Sequence, residues 1–135
     1  MTLKEAKVIL KPKVIEIKDV VYSTVSKPGT FKQNPDGSYD VDGNVRLQYM
    51  NLTEIPFKFN KVTGHFYCNN NELTSLKNSP IYVGMDFVCF KNNLTSLEGC
   101  PKEVGGDFYC DHNAKQFTIN EVKFYSDVKG YIIIN

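Results

Sequence analysis

Residues 73–93, LTSLKNSPIYVGMDFVCFKNN, and residues 94–114, LTSLEGCPKEVGGDFYCDHNA, are two copies of one pattern. When they are aligned without a gap, eleven of the 21 positions are identical. The preceding block, residues 52–72, shares eight positions with residues 94–114 in the same register, and residues 41–51 form a partial copy. A fixed period of this kind is typical of repeat proteins, in which each copy forms one structural unit that stacks on the next.

The repeat places apolar residues and asparagines in columns that are 21 residues apart. Phe66 and Cys68 are separated by one residue, which places both side chains on the same face of a short strand. Identical strands that stack predict a parallel sheet, and its inward side chains form a continuous core. An asparagine after each strand can bond the backbone groups of neighbouring coils where the chain turns. The columns are Val41, Val62, Val83 and Val104; Val45, Phe66, Phe87 and Phe108; Leu47, Cys68, Cys89 and Cys110; and Asn71, Asn92 and Asn113.

Each copy has the spacing F-x-C-x-x-N-x-L-x-x-L, for example at Phe66, Cys68, Asn71, Leu73 and Leu76. This spacing resembles that of the leucine-rich repeat, with Phe and Cys at positions where that family usually has Leu. The resemblance covers about residues 41–117. The stretch LTSLEGCPKEVGGDFYC is also similar to the short leucine-rich-like repeats in small proteins of tailed bacteriophages. That similarity implies an early phage protein that binds a host protein and inhibits or redirects it.

Both ends of such a stack expose apolar surface and need caps. Residues 1–40 are predicted to form a β-rich N-terminal cap. Within it, residues 7–25 are rich in β-branched residues and contain Pro12 as a break, which predicts two or three strands rather than a helix. Residues 118–135 form the predicted C-terminal cap. There, TINE has the spacing of a capping box before a short helix over about residues 119–127, and YIIIN predicts a last strand.

The predicted fold class is a leucine-rich-repeat-like solenoid that forms a single compact domain. Its repeats, residues 41–117, form a parallel β-sheet. Pro80, Pro101 and the glycines between the strands predict mostly coil, or single helical turns, on the convex side.

The chain has 135 residues and a formal net charge of +1, and 41% of its residues are hydrophobic. This balance of charge argues against sequence-independent nucleic-acid binding, which normally needs a basic excess. No apolar run is long enough to span a membrane, and the N-terminus lacks the pattern of a signal peptide. We therefore expect a cytoplasmic protein, in the host cytoplasm if a phage encodes it, with no membrane and no nucleic-acid partner.

The four cysteines are expected to be thiols, as is usual in a reducing compartment. Cys68, Cys89 and Cys110 occupy an inward position, where cysteine packs as a small hydrophobic residue. Zinc held by thiols of adjacent coils and a disulfide inside the stack are the alternatives, but no C-x-x-C pair is present and structural zinc takes four ligands. Cys100 replaces Ser79 at an outer turn, where we expect it to be exposed and without an activating base. We expect no metal and no cofactor.

The alternation along each strand assigns a second set of side chains to the outward face of the sheet, where the core does not dictate their identity. Tyr67, Val88, Phe90 and Tyr109 form an apolar and aromatic strip of the kind that protein interfaces use. The alternative is that these side chains only shield the sheet. The candidate protein-binding residues are Arg46, Tyr67, Val88, Phe90, Tyr109, Asp86, Asp107, Asp111 and His112.

A different use of this face would combine Asp86, Asp107 and Asp111 with His65 or His112, because adjacent carboxylates can shift each other's pKa or hold a divalent cation. No set of nucleophile, base and orienting group emerges, so we expect no catalytic residues and no enzyme activity. The function that the sequence predicts is non-enzymatic protein–protein interaction. The alternatives are a structural or assembly component of a virion, and a cation-dependent or enzymatic module on the aspartate edge.

Overall fold

A computed structural model of the protein describes residues 14–24 and 27–135. Two short helices and thirteen strands make up the regular structure of these ranges. The helices are α1 (Ile17–Val20) and α2 (Ile119–Tyr125). The strands are β1 (Val21–Thr24), β2 (Lys27–Pro28), β3 (Thr30–Gln33), β4 (Tyr39–Asp42), β5 (Asn44–Arg46), β6 (Phe59–Val62), β7 (Phe66–Tyr67), β8 (Tyr82–Val83), β9 (Phe87–Val88), β10 (Glu103–Val104), β11 (Phe108–Tyr109), β12 (Asp127–Val128) and β13 (Ile132–Ile133).

From β4 onward the chain passes alternately through two sheets, so that each coil contributes one strand to each sheet. The seven-stranded sheet A has the order β13-β11-β9-β7-β5-β1-β2, and the six-stranded sheet B has the order β12-β10-β8-β6-β4-β3. Strands of neighbouring coils pair in parallel, and Phe66, Phe87, Phe108 and Ile132 are successive register partners in sheet A. The predicted solenoid with a parallel sheet is confirmed.

The return path between the strands of sheet A is mostly coil, as predicted, but it also contributes to a second sheet that was not predicted. Residues 68–81 and 89–102 do lack helices and strands, but a two-residue strand of sheet B follows each of them. These two strands pair through Val83 and Val104, which are fully buried. In the sequence, one inward apolar column, the valines, marks sheet B, whereas the Phe and Cys columns of sheet A are two residues apart and show the alternation by which strands are recognised. The prediction of a single sheet is therefore wrong.

Phenylalanine rings stacked from coil to coil form the centre of the core. Phe66, Phe87 and Phe108 are fully buried, and the centroids of adjacent rings are 5.8 and 5.1 Å apart. Complete burial of one such side chain contributes about 1.5–3 kcal/mol to stability. Because each coil supplies one ring to the column, this burial favours the register in which the coils stack.

An asparagine that follows each of β7, β9 and β11 bonds its own coil to the preceding one, and it is buried at Asn92 and half-buried at Asn71 and Asn113. Asn92 Nδ2 donates to the carbonyl oxygens of Cys68 in the preceding coil (3.0 Å) and Cys89 in its own coil (3.1 Å). Its Oδ1 accepts the backbone N–H of Leu73 (3.0 Å), also in the preceding coil. Asn71 and Asn113 make the equivalent bonds. We call these three residues the asparagine ladder, and its predicted role in joining the coils is confirmed.

The residue that precedes each ladder position has a left-handed backbone, and so does Tyr49 at the equivalent position of the first coil. Non-glycine residues in this region cost about 1–2 kcal/mol each. The turn is nevertheless repeated from coil to coil, because it brings the following asparagine side chain back against the carbonyls of the strand. The residues and their φ angles are Tyr49 (58°), Asn70 (56°), Lys91 (54°) and His112 (54°).

The N-terminal cap contains strands, as predicted, but its first described element is a helix. The Glu16 backbone N–H donates to Asp19 Oδ2 (3.0 Å) at the start of α1, where only strands were expected. Antiparallel pairing then begins both sheets, since β1 pairs with β5 and β3 pairs with β4. The remainder of the predicted cap, residues 1–13 with Pro12, lies outside the described residues.

The C-terminal cap follows the prediction closely. The Glu121 backbone N–H donates to Thr118 Oγ1 (3.1 Å), and the Thr118 N–H donates to Glu121 Oε1 (3.2 Å), which completes the capping box of α2. The helix ends at Tyr125 rather than at about residue 127. The predicted last strand is β13, which pairs in parallel with β11.

Replacing Asn92 by alanine is expected to lower the free energy of unfolding by about 3 kcal/mol, because buried backbone groups lose their partners at a cost of about 1–3 kcal/mol each. The exposed neighbour Asn93 is the matched control. Asn93→Ala is expected to change stability by less than about 0.5 kcal/mol. Urea unfolding followed by circular dichroism measures both variants, and equal losses would contradict the role of the ladder.

Candidate functional site

The outward face of sheet A carries the predicted binding residues in the rows that the repeat assigns. Arg46, Tyr67, Val88 and Tyr109 are successive register partners on β5, β7, β9 and β11. The row continues to Ile133 on β13. Parallel pairing therefore brings side chains that are 21 residues apart in sequence onto one continuous surface.

Two tyrosines and a phenylalanine form the apolar part of this surface, which we call the aromatic face: Tyr67, Phe90 and Tyr109. The ring centroids of Phe90 and Tyr109 are 6.4 Å apart. All three side chains are partly exposed. Val88, which the sequence placed among the binding residues, lies between Tyr67 and Tyr109 in the row and is only 5% exposed. The flanking rings, rather than Val88, therefore present contact area to a partner.

The N-terminal cap adds a residue to this face that the repeat pattern could not reveal. The Arg46 guanidinium carbon lies 4.3 Å from the centroid of the Tyr22 ring, a cation–π contact. Tyr22 is on β1, the antiparallel neighbour of β5. Because Tyr22 lies outside the repeats, no column in the sequence pointed to it.

A second ladder runs along the corner between the two sheets. The His65 N–H donates to Asn44 Oδ1 (2.7 Å), and the Asp86 N–H donates to His65 Nδ1 (3.2 Å). The Asp107 N–H donates to Asp86 Oδ1 (2.7 Å), and the Tyr131 N–H donates to Asp107 Oδ1 (2.7 Å). We call this the corner ladder. Each side chain accepts the backbone N–H of the next coil, so bonds between coils constrain the identities of Asp86 and Asp107, although the core does not dictate them.

The corner ladder also explains where glycines occur. A Cβ at Gly106 would lie 2.3 Å from Asp86 Oδ1, and a Cβ at Gly130 would lie 2.2 Å from Asp107 Oδ1. Such distances are far below van der Waals contact, so only glycine fits over an aspartate acceptor. Met85 stands at the equivalent position in the coil whose acceptor is His65. The size of the residue that can occupy this position in one coil therefore depends on the acceptor side chain in the preceding coil.

This coupling predicts a non-additive pair of substitutions. His65→Asn alone is expected to destabilise the protein, because an amide oxygen at that site would crowd the Cβ of Met85. Combined with Met85→Gly, the substitution reproduces the arrangement at the other corners, so we expect a favourable coupling energy of about 1–2 kcal/mol. Urea unfolding of the four proteins of the cycle measures it. Additive effects within about 0.5 kcal/mol would contradict the steric origin of the glycine column.

Two of the aspartates on the face already contact histidine side chains of the protein. His112 Nδ1 lies 2.7 Å from Asp111 Oδ2, and His65 Nδ1 lies 3.4 Å from Asp86 Oδ2. Within residues 14–24 and 27–135, no three histidine, cysteine, aspartate or glutamate side chains are placed to hold a metal ion together. The geometry therefore gives no support to the alternative of a cation site on the Asp86, Asp107 and Asp111 edge.

The carboxylates make the environment of the aromatic face negative. Partial burial raises the pKa of Tyr109, and the charges of Asp107, Asp86 and Asp111 raise it further. Partial burial also raises the pKa of Tyr67, with contributions from the Tyr22 hydroxyl and the Asp86 carboxylate. Both tyrosines therefore remain neutral hydrogen-bonding groups at physiological pH.

All four cysteines are free and buried. This includes Cys100, which was expected to be exposed but is only 7% exposed, so that expectation is wrong. Burial raises the pKa of the Cys100 and Cys110 thiols to about 12, and it raises the pKa values of Cys68 and Cys89 as well. The thiolate, which is the reactive form, is therefore scarce at neutral pH.

We expect the native protein to react with less than one equivalent of a thiol-specific disulfide reagent at about pH 8, because a thiol of pKa about 12 is ionised there in about one molecule in 10⁴. In guanidinium chloride, all four thiols should react. Absorbance of the released reagent anion measures both values. Rapid reaction of a native thiol would contradict the buried arrangement.

Comparison of the chain with protein-family models, with curated proteins and with solved structures gives no significant match. Neither α1 nor α2, the helices of the described ranges, has the length and apolar content that crossing a membrane requires.

Proposed function

We propose that the protein is a non-enzymatic binding module that docks a partner protein on the outward face of sheet A. The observation that carries the proposal is the aromatic face itself. Tyr67, Phe90 and Tyr109 are presented side by side on a regular sheet, although the core is complete without them. Aromatic anchors of this kind, and tyrosine in particular, contribute most of the binding energy at protein interfaces.

The surroundings of the aromatic face have the composition of an interface rim. Asp86, Asp107, Asp111 and His112 border the rings, and Arg46 lies at the end of the row. Hydrogen bonds and ion pairs among these groups hold their side chains in place before any partner arrives. Side chains that are already ordered lose less conformational entropy on association, which favours binding.

The size of the face limits what it can do alone. Neighbouring strands lie about 4.8 Å apart, so the row from Arg46 to Ile133 extends over about 20 Å. A standard interface buries about 800 Å² on each partner. We propose that the partner also contacts the exposed strand exits beside the face, where Tyr49 is 73% exposed.

We infer further that the coils are leucine-rich-like repeats. The inference is supported by the F-x-C-x-x-N-x-L spacing and by the asparagine ladder that it generates. Repeats of this type form binding scaffolds without dictating the partner. An origin in a phage, a host protein as the partner and a cytoplasmic location all remain predictions, as do the alternatives of a virion component and of a cation-dependent or enzymatic module.

The test is a quantitative pull-down with the tagged full-length chain from lysate of the cells in which it is naturally made. Tyr67→Ala combined with Tyr109→Ala is expected to reduce capture of a specific partner at least 30-fold, since loss of one such anchor costs about 2 kcal/mol or more. Circular dichroism should show that the double variant remains folded.

The matched control is Tyr82→Ala combined with Phe124→Ala, which removes two aromatic rings from sheet B and α2. This control should capture the partner as the wild type does. If binding survives loss of Tyr67 and Tyr109, or if both double variants lose it equally, the aromatic face is not the docking surface.

A further inference from the structure

We propose that the aromatic face binds a basic segment of its protein partner, with an arginine or lysine side chain seated over the Tyr109 ring between Asp107 and Asp111. This inference rests on the proposed function of the face as a protein-binding surface, and it specifies the chemistry of what binds there.

The outward face of sheet A differs in charge from the molecule as a whole. The chain has a formal net charge of +1, but the face is acidic around Tyr109. Twelve outward positions on the four central coils hold three aspartates, one arginine and no lysine. The aspartates and the arginine lie at opposite ends of the row. The positions are Asn44, His65, Asp86 and Asp107; Arg46, Tyr67, Val88 and Tyr109; and Gln48, Asn69, Phe90 and Asp111.

The chain itself shows how a cation lies on this face. The Arg46 guanidinium stands 4.3 Å from the centroid of the Tyr22 ring, at the end of the row next to the N-terminal cap. Among the described residues, no lysine or arginine makes the same contact with Tyr67 or Tyr109. Tyr109 therefore offers the same type of ring, in a more negative setting, without a cation from the described part of the chain.

The local geometry around Tyr109 suits a cationic side chain. Outward positions along a strand are about 6.6 Å apart, so Asp107 and Asp111 lie on either side of Tyr109. Phe90 provides a second ring, 6.4 Å from Tyr109 between centroids. The carboxylates are close enough to act on the Tyr109 hydroxyl, since their charges raise its pKa further after the effect of burial. A guanidinium or ammonium group could therefore contact a ring face and two carboxylates at once.

Both aspartates also take part in hydrogen bonds within the protein. Asp107 Oδ1 accepts the Tyr131 N–H (2.7 Å), and Asp111 Oδ2 contacts His112 Nδ1 (2.7 Å). After the effect of burial, the charge of Asp107 and a hydrogen bond between its carboxylate and Tyr109 both raise the pKa of Tyr109, so this carboxylate already acts on the ring. The bond to Tyr131 needs an oxygen acceptor but no charge. Asparagine at residue 107 retains that acceptor, so Asp→Asn substitutions separate the charge of the face from its structure.

The test is a titration of the full-length, ¹⁵N-labelled protein with a capped peptide of alternating arginine and glycine, at low ionic strength. We expect the chemical shifts of the backbone amides of residues 86–91 and 107–112 to change and to reach saturation as peptide is added. Peptides with glutamate or serine in place of arginine should cause no such changes. The Asp107→Asn/Asp111→Asn variant should bind the arginine peptide about three- to tenfold more weakly, as expected for exposed cation–π contacts and ion pairs.

The matched control is Glu103→Gln combined with Asp127→Asn, which removes two negative charges from sheet B. It should change the affinity less than twofold. Affinity for the arginine peptide should also fall as salt is raised from 50 to 500 mM, because salt screens exposed charges. An arginine peptide that causes no shift changes at the aromatic face, or that binds the two double variants equally, overturns the proposal.

Other occupants give different results. If dilution of the protein alone changes the chemical shifts of the same amides, the face is occupied by a second copy of the chain. If replacing Lys4, Lys7, Lys11 and Lys13 by Gln changes those chemical shifts, the face is occupied by the N-terminal segment of the chain itself. Either result overturns the proposal. If binding of a natural partner requires Tyr67 and Tyr109 but not Asp107 and Asp111, the proposed function as a protein-binding surface is supported and the proposal of a basic segment is overturned. If binding of the partner does not require Tyr67 and Tyr109, the proposed function itself is overturned.

Discussion

The hydrogen bonds of the asparagine ladder are the interaction on which the rest of the structure depends. Backbone hydrogen bonds join successive coils along the strands. The turns after β7, β9 and β11, however, contain carbonyl and N–H groups that the asparagine side chains satisfy. Asn71, Asn92 and Asn113 each satisfy groups of two coils at once. Because an unsatisfied buried polar group costs about 1–3 kcal/mol, the ladder favours the register in which its bonds form. The phenylalanine column and the rows of the outward face are aligned as a result.

The corner ladder extends the same principle to the other end of the strands of sheet A, and it places a constraint on the candidate site. Asp86 and Asp107 serve two purposes, since one carboxylate oxygen accepts a backbone N–H and the charge remains exposed on the face. The glycines that cover the aspartates follow from the same geometry, because the acceptor oxygen occupies the space of a Cβ. The acidic character of the aromatic face is therefore partly a by-product of how the coils are joined.

Much of this could be predicted from the repeat, because a 21-residue period aligns every column without knowledge of the structure. The inward columns, the asparagine ladder, the capping box at Thr118 and the last strand were all found in this way. Sheet B was missed because a single inward column, the valines, marks it, whereas the Phe and Cys columns of sheet A are two residues apart and reveal a strand. The helix α1 was missed because β-branched residues favour strands in general, whereas the bond between Glu16 and Asp19 stabilises a single helical turn locally. Tyr22 was missed because it has no equivalent in the repeats.

The sequence by itself determined the solenoid, the parallel pairing in sheet A and the side of that sheet on which each repeat residue lies. These follow from periodicity and alternation, which are properties of the chain alone. Only the tertiary structure decided how the outward residues are used. Val88 is covered by its neighbours, Asp86 and Asp107 bond the backbone of the next coil, and Arg46 lies over Tyr22. The physical reason is that these contacts join residues about 20 or more positions apart, so distances in space, and not the repeat pattern, select which side chains remain available to a partner.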